Sequence, residues 1–218
     1  MTELVQVDAA LPGLYASAPQ PLPFDSSLDI RAFLLHREQG NLLVYNVNTL
    51  ASDAPAVRDL GGIARRYFNH WHEAMITSER IDAPLYCHEK DRAAVAERVP
   101  VHEAFTGRHM LDDDFEVIPT PGHTRGSTAF LWAGCGHRFL FTSDTIYLSD
   151  GEWVATVLGE SDRAAYIESL ELLRDLDFDV LVPWAATKRQ PCFARTDKPD
   201  ARRRIGAILE RVRRGEDH

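Results

Sequence analysis

The stretch that decides the fold reads Pro119-Thr120-Pro121-Gly122-His123-Thr124-Arg125-Gly126-Ser127, and it follows a short apolar run that predicts a strand over residues 115–119. Pro121 and Gly122 predict a tight turn, because proline fixes one backbone dihedral and glycine accepts conformations that other residues avoid. His123 then projects from the loop, with the hydroxyl groups of Thr124 and Ser127 available for hydrogen bonds around it. Alone, the pattern also fits a plain turn with an exposed histidine.

Two further histidines, His70 and His72, follow the apolar run at residues 63–68. In an extended chain residues i and i+2 lie on the same side, about 6.5–7 Å apart at Cα, so both imidazoles would face one metal ion. The same alternation would point Trp71 and Glu73 away from that ion. Paired histidines also occur as ordinary surface or core residues, so the pair predicts a chelate only together with other donors.

A carboxylate, Asp144, follows a third apolar run at residues 138–142. An aspartate at the end of a strand is often only a cap or a turn former. Here, however, all three motifs place a side chain that can bind metal just past the end of a predicted strand. This shared placement makes His70, His72, His123 and Asp144 together a much more specific signal for metal binding than any one motif alone.

The three motifs together resemble those of the metallo-β-lactamase-fold superfamily. Its members share an HxHxDH motif after a strand, a PGHTxGS segment, a strand that ends in GD or SD, and a late PGH. The PGHTxGS pattern is complete in residues 121–127. The resemblance implies an α/β (α+β) fold, a four-layer αββα sandwich, with the site along the edge where strand ends meet. No linker or repeat interrupts the sequence, so we predict a single domain over residues 1–218.

The sequence departs from the family pattern in a selective way. Ala74 and Met75 stand where HxHxDH has its aspartate and second histidine, and Ala185 stands where the late PGH has its histidine, after Trp184 in place of glycine. By this resemblance the first metal site is complete, and the ligands that belong only to the second site are absent. Trp184 and Met75 would place bulk near the vacated position.

The resemblance therefore implies one metal ion. Three imidazoles with Asp144 or a water molecule suit tetrahedral zinc, while two histidines with Asp144 equally suit Fe(II). Zinc would activate water for hydrolysis of a small ester, thioester or amide, with Asp144 as general base if it does not bind the metal. Glu73 ranks second as a base, because strand alternation points it away from the chelate.

Two other functions stay open at this point. One is a mononuclear Fe(II) dioxygenase like the persulfide dioxygenase branch of the superfamily, although that branch keeps the full HxHxDH string. The other is a non-catalytic member that binds a ligand or partner, which the losses at Ala74, Met75 and Ala185 would favour.

Composition narrows the possible partners and location. The 218 residues carry 24 Lys and Arg against 33 Asp and Glu, a net charge of −9, which disfavours nucleic acid as a partner. Three cysteines without a CxxC pair indicate a reducing compartment. The N-terminus lacks the pattern of a signal peptide and no apolar stretch reaches membrane-spanning length. We expect a cytoplasmic protein that acts on a small molecule without a membrane partner, and its oligomeric state stays open.

Hydrophobic spacing predicts the main elements. Residues 32–35 and 42–45 read as a β-hairpin around a polar turn. In the second half Tyr166, Leu170 and Leu173 recur at helical spacing with Asp162 as N-cap, and residues 199–213 form an amphipathic helix whose arginines face solvent. Further strands are predicted over residues 64–69, 84–87, 115–119, 127–132, 138–142 and 179–183.

Overall fold

The computed structural model describes residues 4–76 and 81–218, which group into two compact units, Met1–Thr106 and Gly107–His218. The first three residues of the N-terminal segment considered above lie outside the described residues. The single domain over residues 1–218 stays a prediction, and each unit is described by itself.

The first unit is built mainly on a seven-stranded sheet with the strand order β1-β2-β5-β6-β7-β8-β9. Strands β3 and β4 pair with each other as an antiparallel hairpin. The strands are β1 (Val5–Gln6), β2 (Leu14–Ala16), β3 (Gln20–Leu22), β4 (Asp25–Ile30), β5 (Phe33–Leu35), β6 (Leu42–Val44), β7 (Arg65–Tyr67), β8 (Leu85–His88) and β9 (Glu103–Phe105). The helices are α1 (Ala54–Asp59) and α2 (Glu89–Ala96), with 3-10 helices at Asn48–Asp53 and Trp71–Ile76.

The pairing within this sheet explains where the chain presents its histidines. The predicted hairpin is confirmed, because β5 and β6 pair antiparallel with Phe33 opposite Val44. From β6 to β9 the neighbours are parallel, so the carboxyl ends of these strands lie at one edge. The end of β7 at Tyr67 therefore delivers residues 69–76 to that edge. An apolar cluster next to them contains Phe68, Ala74, Leu85, Cys87, Val95 and Val99.

Helix α2 begins at an unusual N-cap, His88. Its Nδ1 accepts a hydrogen bond from the backbone N–H of Lys90 at 3.1 Å. This bond satisfies one of the backbone N–H groups that have no partner within the first turn of a helix. Burial lowers the pKa of His88 below its usual value near 6.5, while the charge of Asp91 opposes that shift. The neutral imidazole that the cap requires is therefore the favoured form. Asp91 also accepts a hydrogen bond from the N–H of Trp71 at 3.0 Å, which ties α2 to the HxH segment.

The second unit contains a six-stranded sheet with the order β10-β11-β12-β13-β16-β18 and a group of three strands with the order β15-β14-β17. The strands are β10 (His109–Leu111), β11 (Phe115–Pro119), β12 (Thr128–Gly134), β13 (His137–Phe141), β14 (Tyr147–Ser149), β15 (Glu152–Val154), β16 (Val180–Val182), β17 (Ala185–Thr187) and β18 (Ala194–Arg195). The helices are α3 (Arg163–Asp175) and α4 (Lys198–Arg213), with a 3-10 helix at Ser143–Thr145.

Helices α3 and α4 confirm the amphipathic patterns in the sequence. The Asp162 carboxylate accepts the N–H of Ala165 at 3.1 Å, as predicted for the N-cap of α3. The apolar faces of both helices join one core cluster with strands of this unit. Burying a leucine or isoleucine stabilises the fold by about 1.5–3 kcal/mol per side chain. The buried positions of these helices are Tyr166, Ser169, Leu170, Leu173, Ala201, Ile205, Ile208, Leu209 and Val212.

Gly122 brings the loop of the PGHTxGS segment into direct contact with the first turn of α3. Its φ is +143°, and a Cβ at this position would lie 2.4 Å from the Cα of Tyr166. The N–H of Asp162 donates to the Gly122 carbonyl at 2.9 Å, which holds the loop against the start of the helix. Only glycine fits this approach, which gives the glycine of the predicted turn a structural reason of its own.

Within the described part of the chain, no helix is both long enough and apolar enough to cross a lipid bilayer.

Candidate metal centre

His123 is held in one tautomer by a backbone carbonyl. Its Nδ1 lies 2.8 Å from the carbonyl oxygen of Thr156, and because a carbonyl can only accept, Nδ1 must carry the proton. Nε2 is then the nitrogen with the lone pair, and it lies 3.5 Å from Oδ2 of Asp144. The imidazole is buried. Histidines that bind metal through one ring nitrogen usually donate the N–H of the other ring nitrogen to such a carbonyl or to a carboxylate.

Asp144 lies in the short 3-10 helix that follows β13, as predicted for a carboxylate just past the end of a strand. The residue before it, Ser143, has a φ of +49°. Residues other than glycine adopt this left-handed backbone conformation only when the surrounding structure enforces it. The Thr142 hydroxyl donates to the carbonyl of Ile146 at 2.8 Å and closes the turn. The Asp144 side chain keeps 19% of its surface exposed, so its carboxylate can reach a substrate or water.

His70 and His72 come together, but not in the backbone that we predicted. The extended segment is wrong: the chain enters a 3-10 helix at Trp71–Ile76 directly after His70. The two imidazole rings nevertheless lie edge to face with their centroids 4.9 Å apart. His70 is buried and His72 is partly exposed. The pair can therefore act as a chelate through the geometry of a turn rather than of a strand.

Glu73 overturns the expectation that it points away from the chelate. Its side chain is buried, its Oε1 accepts the N–H of Asn69 at 2.8 Å, and the same oxygen lies 3.4 Å from Nδ1 of His70. The reason is the 3-10 turn, in which residues three apart lie on the same side. Glu73 thus places an oxygen near Nδ1 of His70, the same ring nitrogen that the Thr156 carbonyl contacts in His123.

A buried polar network supports Glu73 from within the first unit. The side-chain amide of Asn46 donates to the Glu73 carbonyl at 3.0 Å, and Nη2 of Arg66 lies 3.5 Å from Oδ1 of Asn46. Burial lowers the pKa of Arg66 to about 10, and the negative charge of Glu73 opposes that shift. Arg66 stays charged at neutral pH and balances the buried carboxylate.

The donor set fits a zinc or Fe(II) ion. Both His70 and His123 turn Nδ1 toward an oxygen, which leaves Nε2 as the nitrogen that can bind metal. Each of the four predicted ligands offers one ligand atom, a ring nitrogen from each histidine and a carboxylate oxygen from Asp144. The described geometry groups them as two pairs, His70 with His72 in the first unit and His123 with Asp144 in the second. Their union in one centre stays a prediction.

The positions that would complete a second site hold no comparable donors. Ala74 is buried in the apolar cluster of the first unit, and Met75 is 39% exposed. Ala185 begins β17 and is buried, as is the preceding Trp184.

Sequence reasoning missed the residues that support the ligands. Thr156 acts through its carbonyl, which no residue type reveals. Tyr166 was identified only as a core position, and nothing in its spacing marks its hydroxyl. The hydroxyl groups of Thr124 and Ser127 bond to each other at 2.9 Å, so they hold the loop itself.

A family model described as the metallo-beta-lactamase superfamily matches residues 51–185, more than half of the sequence. The chain therefore belongs to the metallo-β-lactamase superfamily.

One curated relative and several solved structures show how far this likeness extends. A hydroxyacylglutathione hydrolase from Xanthomonas axonopodis pv. citri is 36% identical over 91 residues, which are 39% of this chain and 32% of that protein. The match thus spans about a third of the relative's length.

The solved structures share the fold at low identity. A metallo-β-lactamase from Hirschia baltica has a TM-score of 0.69 at 13% identity, covering 95% of this chain and 97% of that one. One from Pontibacter korlensis reaches 0.70 at 14% identity, covering 96% and 99%. A class B3 di-zinc metallo-β-lactamase from an Alaskan soil metagenome reaches 0.60 at 15% identity, covering 97% and 92%. These structures confirm the predicted α/β fold of the metallo-β-lactamase type.

Proposed function

We propose that this protein is a metal-dependent hydrolase with one zinc ion held by His70, His72 and His123, and with Asp144 as fourth ligand or general base. The observation that carries the proposal is the fixed tautomer of His123, whose Nε2 faces the Asp144 carboxylate at 3.5 Å. Histidines that bind metal usually donate the N–H of their second ring nitrogen to a backbone carbonyl or a carboxylate, as His123 does here.

When bound, zinc lowers the pKa of a coordinated water to about 7 and polarises a carbonyl group. The protein's own contribution is to hold the imidazoles rigidly and to place a carboxylate where it can accept a proton. Asp144 suits that second role, because its side chain is partly exposed while the turn that carries it is hydrogen-bonded. Glu73 is buried and engaged with Asn69 and His70, so it serves better as a support than as a base.

One ion rather than two is supported by the surroundings of the second-site positions. The side chain of Ala74 lies among apolar residues, and an alanine offers no ligand atom there or at Ala185. Met75 replaces the histidine of the family motif with a thioether, a soft donor that hydrolytic zinc sites do not use.

A small ester, thioester or amide is the proposed substrate class. The curated relative is named for hydrolysis of an acylated glutathione, which is a thioester, so we place thioesters first. Action in the cytoplasm, without nucleic acid or membrane as partner, remains part of the same proposal and follows from the composition.

The metal content of untagged protein, purified without chelator, tests this function. We expect about one zinc ion per chain in the wild type, and loss of that ion in His70→Ala. His109→Ala is the matched control, because His109 is exposed and does not belong to the group of residues that could hold a metal ion, and it should keep the ion. Thioester and ester hydrolysis by the three proteins, measured with the same samples, should follow the zinc content.

Each other outcome contradicts a stated part of the proposal. About one iron per chain would favour the Fe(II) dioxygenase, whose two-histidine and one-carboxylate ligands this donor set also matches. Two ions per chain would refute the single site. Absence of metal in the wild type would refute both enzymes and favour a non-catalytic binding protein.

A further inference from the structure

The hydroxyl group of Tyr166 lies at the centre of the hydrogen bonds that hold the two ligands of the second unit. Tyr166 is on the first turn of α3 and is fully buried. Its hydroxyl donates toward the carbonyl oxygen of Thr145 at 2.7 Å, with the carbonyl oxygen of Asp144 at 3.2 Å. The same hydroxyl accepts the N–H of Thr156 at 3.0 Å. One oxygen atom thus joins two separate segments of the chain.

Each of these segments controls one of the proposed ligands. The segment at residues 144–145 carries the Asp144 carboxylate itself. The segment at Thr156 carries the carbonyl that accepts the proton of His123 Nδ1 at 2.8 Å. A continuous path of hydrogen bonds therefore runs from the backbone of Asp144 and Thr145, through the Tyr166 hydroxyl and Thr156, to the imidazole of His123.

The other end of Tyr166 is fixed as well. Its backbone contacts Gly122, the residue before His123, so closely that a Cβ on Gly122 would lie 2.4 Å from the Tyr166 Cα. The backbone N–H of Tyr166 donates to the carbonyl of Asp162 in the first turn of α3. Tyr166 is therefore a rigid spacer between the loop that carries His123 and the turn that carries Asp144.

We propose that Tyr166 is a positioning residue, whose hydroxyl sets the placement of His123 Nε2 relative to the Asp144 carboxylate and so tunes the affinity of the metal centre. The consequence for metal binding rests on the proposed function, while the consequence for the His123 imidazole does not.

Tyr166→Phe is the informative substitution, since it keeps the buried ring and removes only the hydroxyl. The N–H of Thr156 and the carbonyl of Thr145 then lose their shared partner, and the two segments are free to move apart. Partners that orient metal ligands typically contribute 10–100-fold to metal affinity. We expect a zinc Kd weaker by about 10-fold or more.

Ser169→Ala is the matched control. Ser169 lies on the next turn of α3, and its buried hydroxyl donates to the carbonyl of Pro121 at 2.7 Å. The control removes another buried hydrogen bond that a side chain of the same helix donates to a backbone carbonyl, but it touches neither the Asp144 turn nor Thr156. Both variants should lower the free energy of unfolding, Tyr166→Phe by more because two backbone groups lose their partner, and only Tyr166→Phe should weaken zinc binding.

Two measurements decide the proposal. Competition with a chromogenic chelator gives the zinc Kd of wild type, Tyr166→Phe and Ser169→Ala. Nitrogen-15 NMR of metal-free protein reports whether His123 Nδ1 still carries its proton and whether the chemical shift of that nitrogen changes. We expect the chemical shift to change in Tyr166→Phe and to stay the same in Ser169→Ala.

The outcomes separate this proposal from the proposed function. If the wild type binds zinc and the two variants bind it equally well, Tyr166 has only a structural role while the metal centre stands. If the wild type binds no metal, the proposed function fails, and the His123 spectrum alone confirms or refutes the role of Tyr166.

Discussion

At the scale of single residues, Glu73 illustrates how a buried carboxylate acquires a role through its neighbours. It lies against Nδ1 of His70, accepts a hydrogen bond from Asn69, and is balanced by Arg66 through Asn46. A carboxylate behind a ligating imidazole fixes the tautomer and makes the ligand nitrogen more basic. We therefore expect Glu73 to act on a bound metal through His70, without touching the metal itself.

Glu73→Gln tests this role. Glutamine has nearly the same shape and can still accept from Asn69, but it lacks the charge that strengthens the contact to His70. We expect zinc affinity to fall by about 10-fold with little loss of folded structure, measured by chelator competition and circular dichroism. Glu97→Gln, on an exposed position of the same unit, should leave the affinity unchanged. Equal affinities in both variants would limit Glu73 to holding the turn.

Some residues of the candidate site were predictable from the sequence, and others were not. The HxH and PGHTxGS motifs name His70, His72 and His123 because ligand type and spacing are written in the sequence. The position of the Glu73 side chain cannot be predicted in this way, because it depends on whether residues 71–76 form a strand or a 3-10 helix. The Thr156 carbonyl has no signature in any sequence.

At the scale of elements, the N-cap of α2 makes the stability of this helix depend on pH. His88 caps the helix only as neutral imidazole, and burial lowers its pKa below the usual value near 6.5. The unfolded chain therefore binds a proton more readily than the folded one. The stabilisation is complete above about pH 6.5 and is lost as the pH falls through the lowered pKa.

His88→Asn should remove most of this dependence. Asparagine caps a helix through an oxygen that does not titrate, and a good cap is worth about 1 kcal/mol. We expect the free energy of unfolding to fall between pH 7.5 and pH 5 by about 1 kcal/mol less in the variant than in the wild type. Urea denaturation in the presence of a chelator measures this without interference from metal.

His109→Asn serves as the control, because His109 is exposed and caps no helix. It should reproduce the pH dependence of the wild type. If the free energy of unfolding changes with pH equally in His88→Asn and in the wild type, the cap does not titrate in this pH range.

Elements with a broad apolar face were predictable, and those without one were not. Helices α3 and α4 were predicted because each buries a stripe of four or five side chains in the core of its unit. Helix α2 buries only Asp91 and Val95, so its pattern is too weak to recognise. The short 3-10 turn after His70 was missed because tertiary contacts, such as that of Asp91 with Trp71, decide between turn and strand.

At the scale of the whole molecule, metal removal is the decisive perturbation. A ligand that binds only the folded chain stabilises it by about 2.7 kcal/mol at a concentration of 100 Kd. For a chain of this size, 1 kcal/mol shifts Tm by about 2–4 °C. Excess chelator should therefore lower the Tm of zinc-loaded protein by about 5–10 °C.

His70→Ala provides the comparison, since a chain that cannot hold the ion should show the same Tm with and without chelator. Scanning calorimetry of both proteins gives the result directly. An unchanged Tm in the wild type would contradict a metal held by the folded state.

The fold class was predictable from a few residues because PGHTxGS combines a turn, a predicted ligand and a close helix contact in seven positions. Gly122 shows why that pattern is so restrictive: its lack of a side chain is required by the Tyr166 backbone. Composition alone gave no comparable information, since a net charge of −9 excludes partners without specifying a fold. The predicted union of all four ligands in one centre depends on the arrangement of the complete chain, which no local pattern encodes.

The packing of Ala74 has a consequence for the substitutions that this position tolerates. An aspartate placed there would bury its carboxylate in the apolar cluster that contains Phe68, Leu85 and Val95, where an unpaired charge is strongly unfavourable. A single substitution to aspartate would therefore lower the free energy of unfolding before it could supply a metal ligand. Engineering a second metal site at this position would require polar partners in the surrounding cluster as well, so one substitution is not enough.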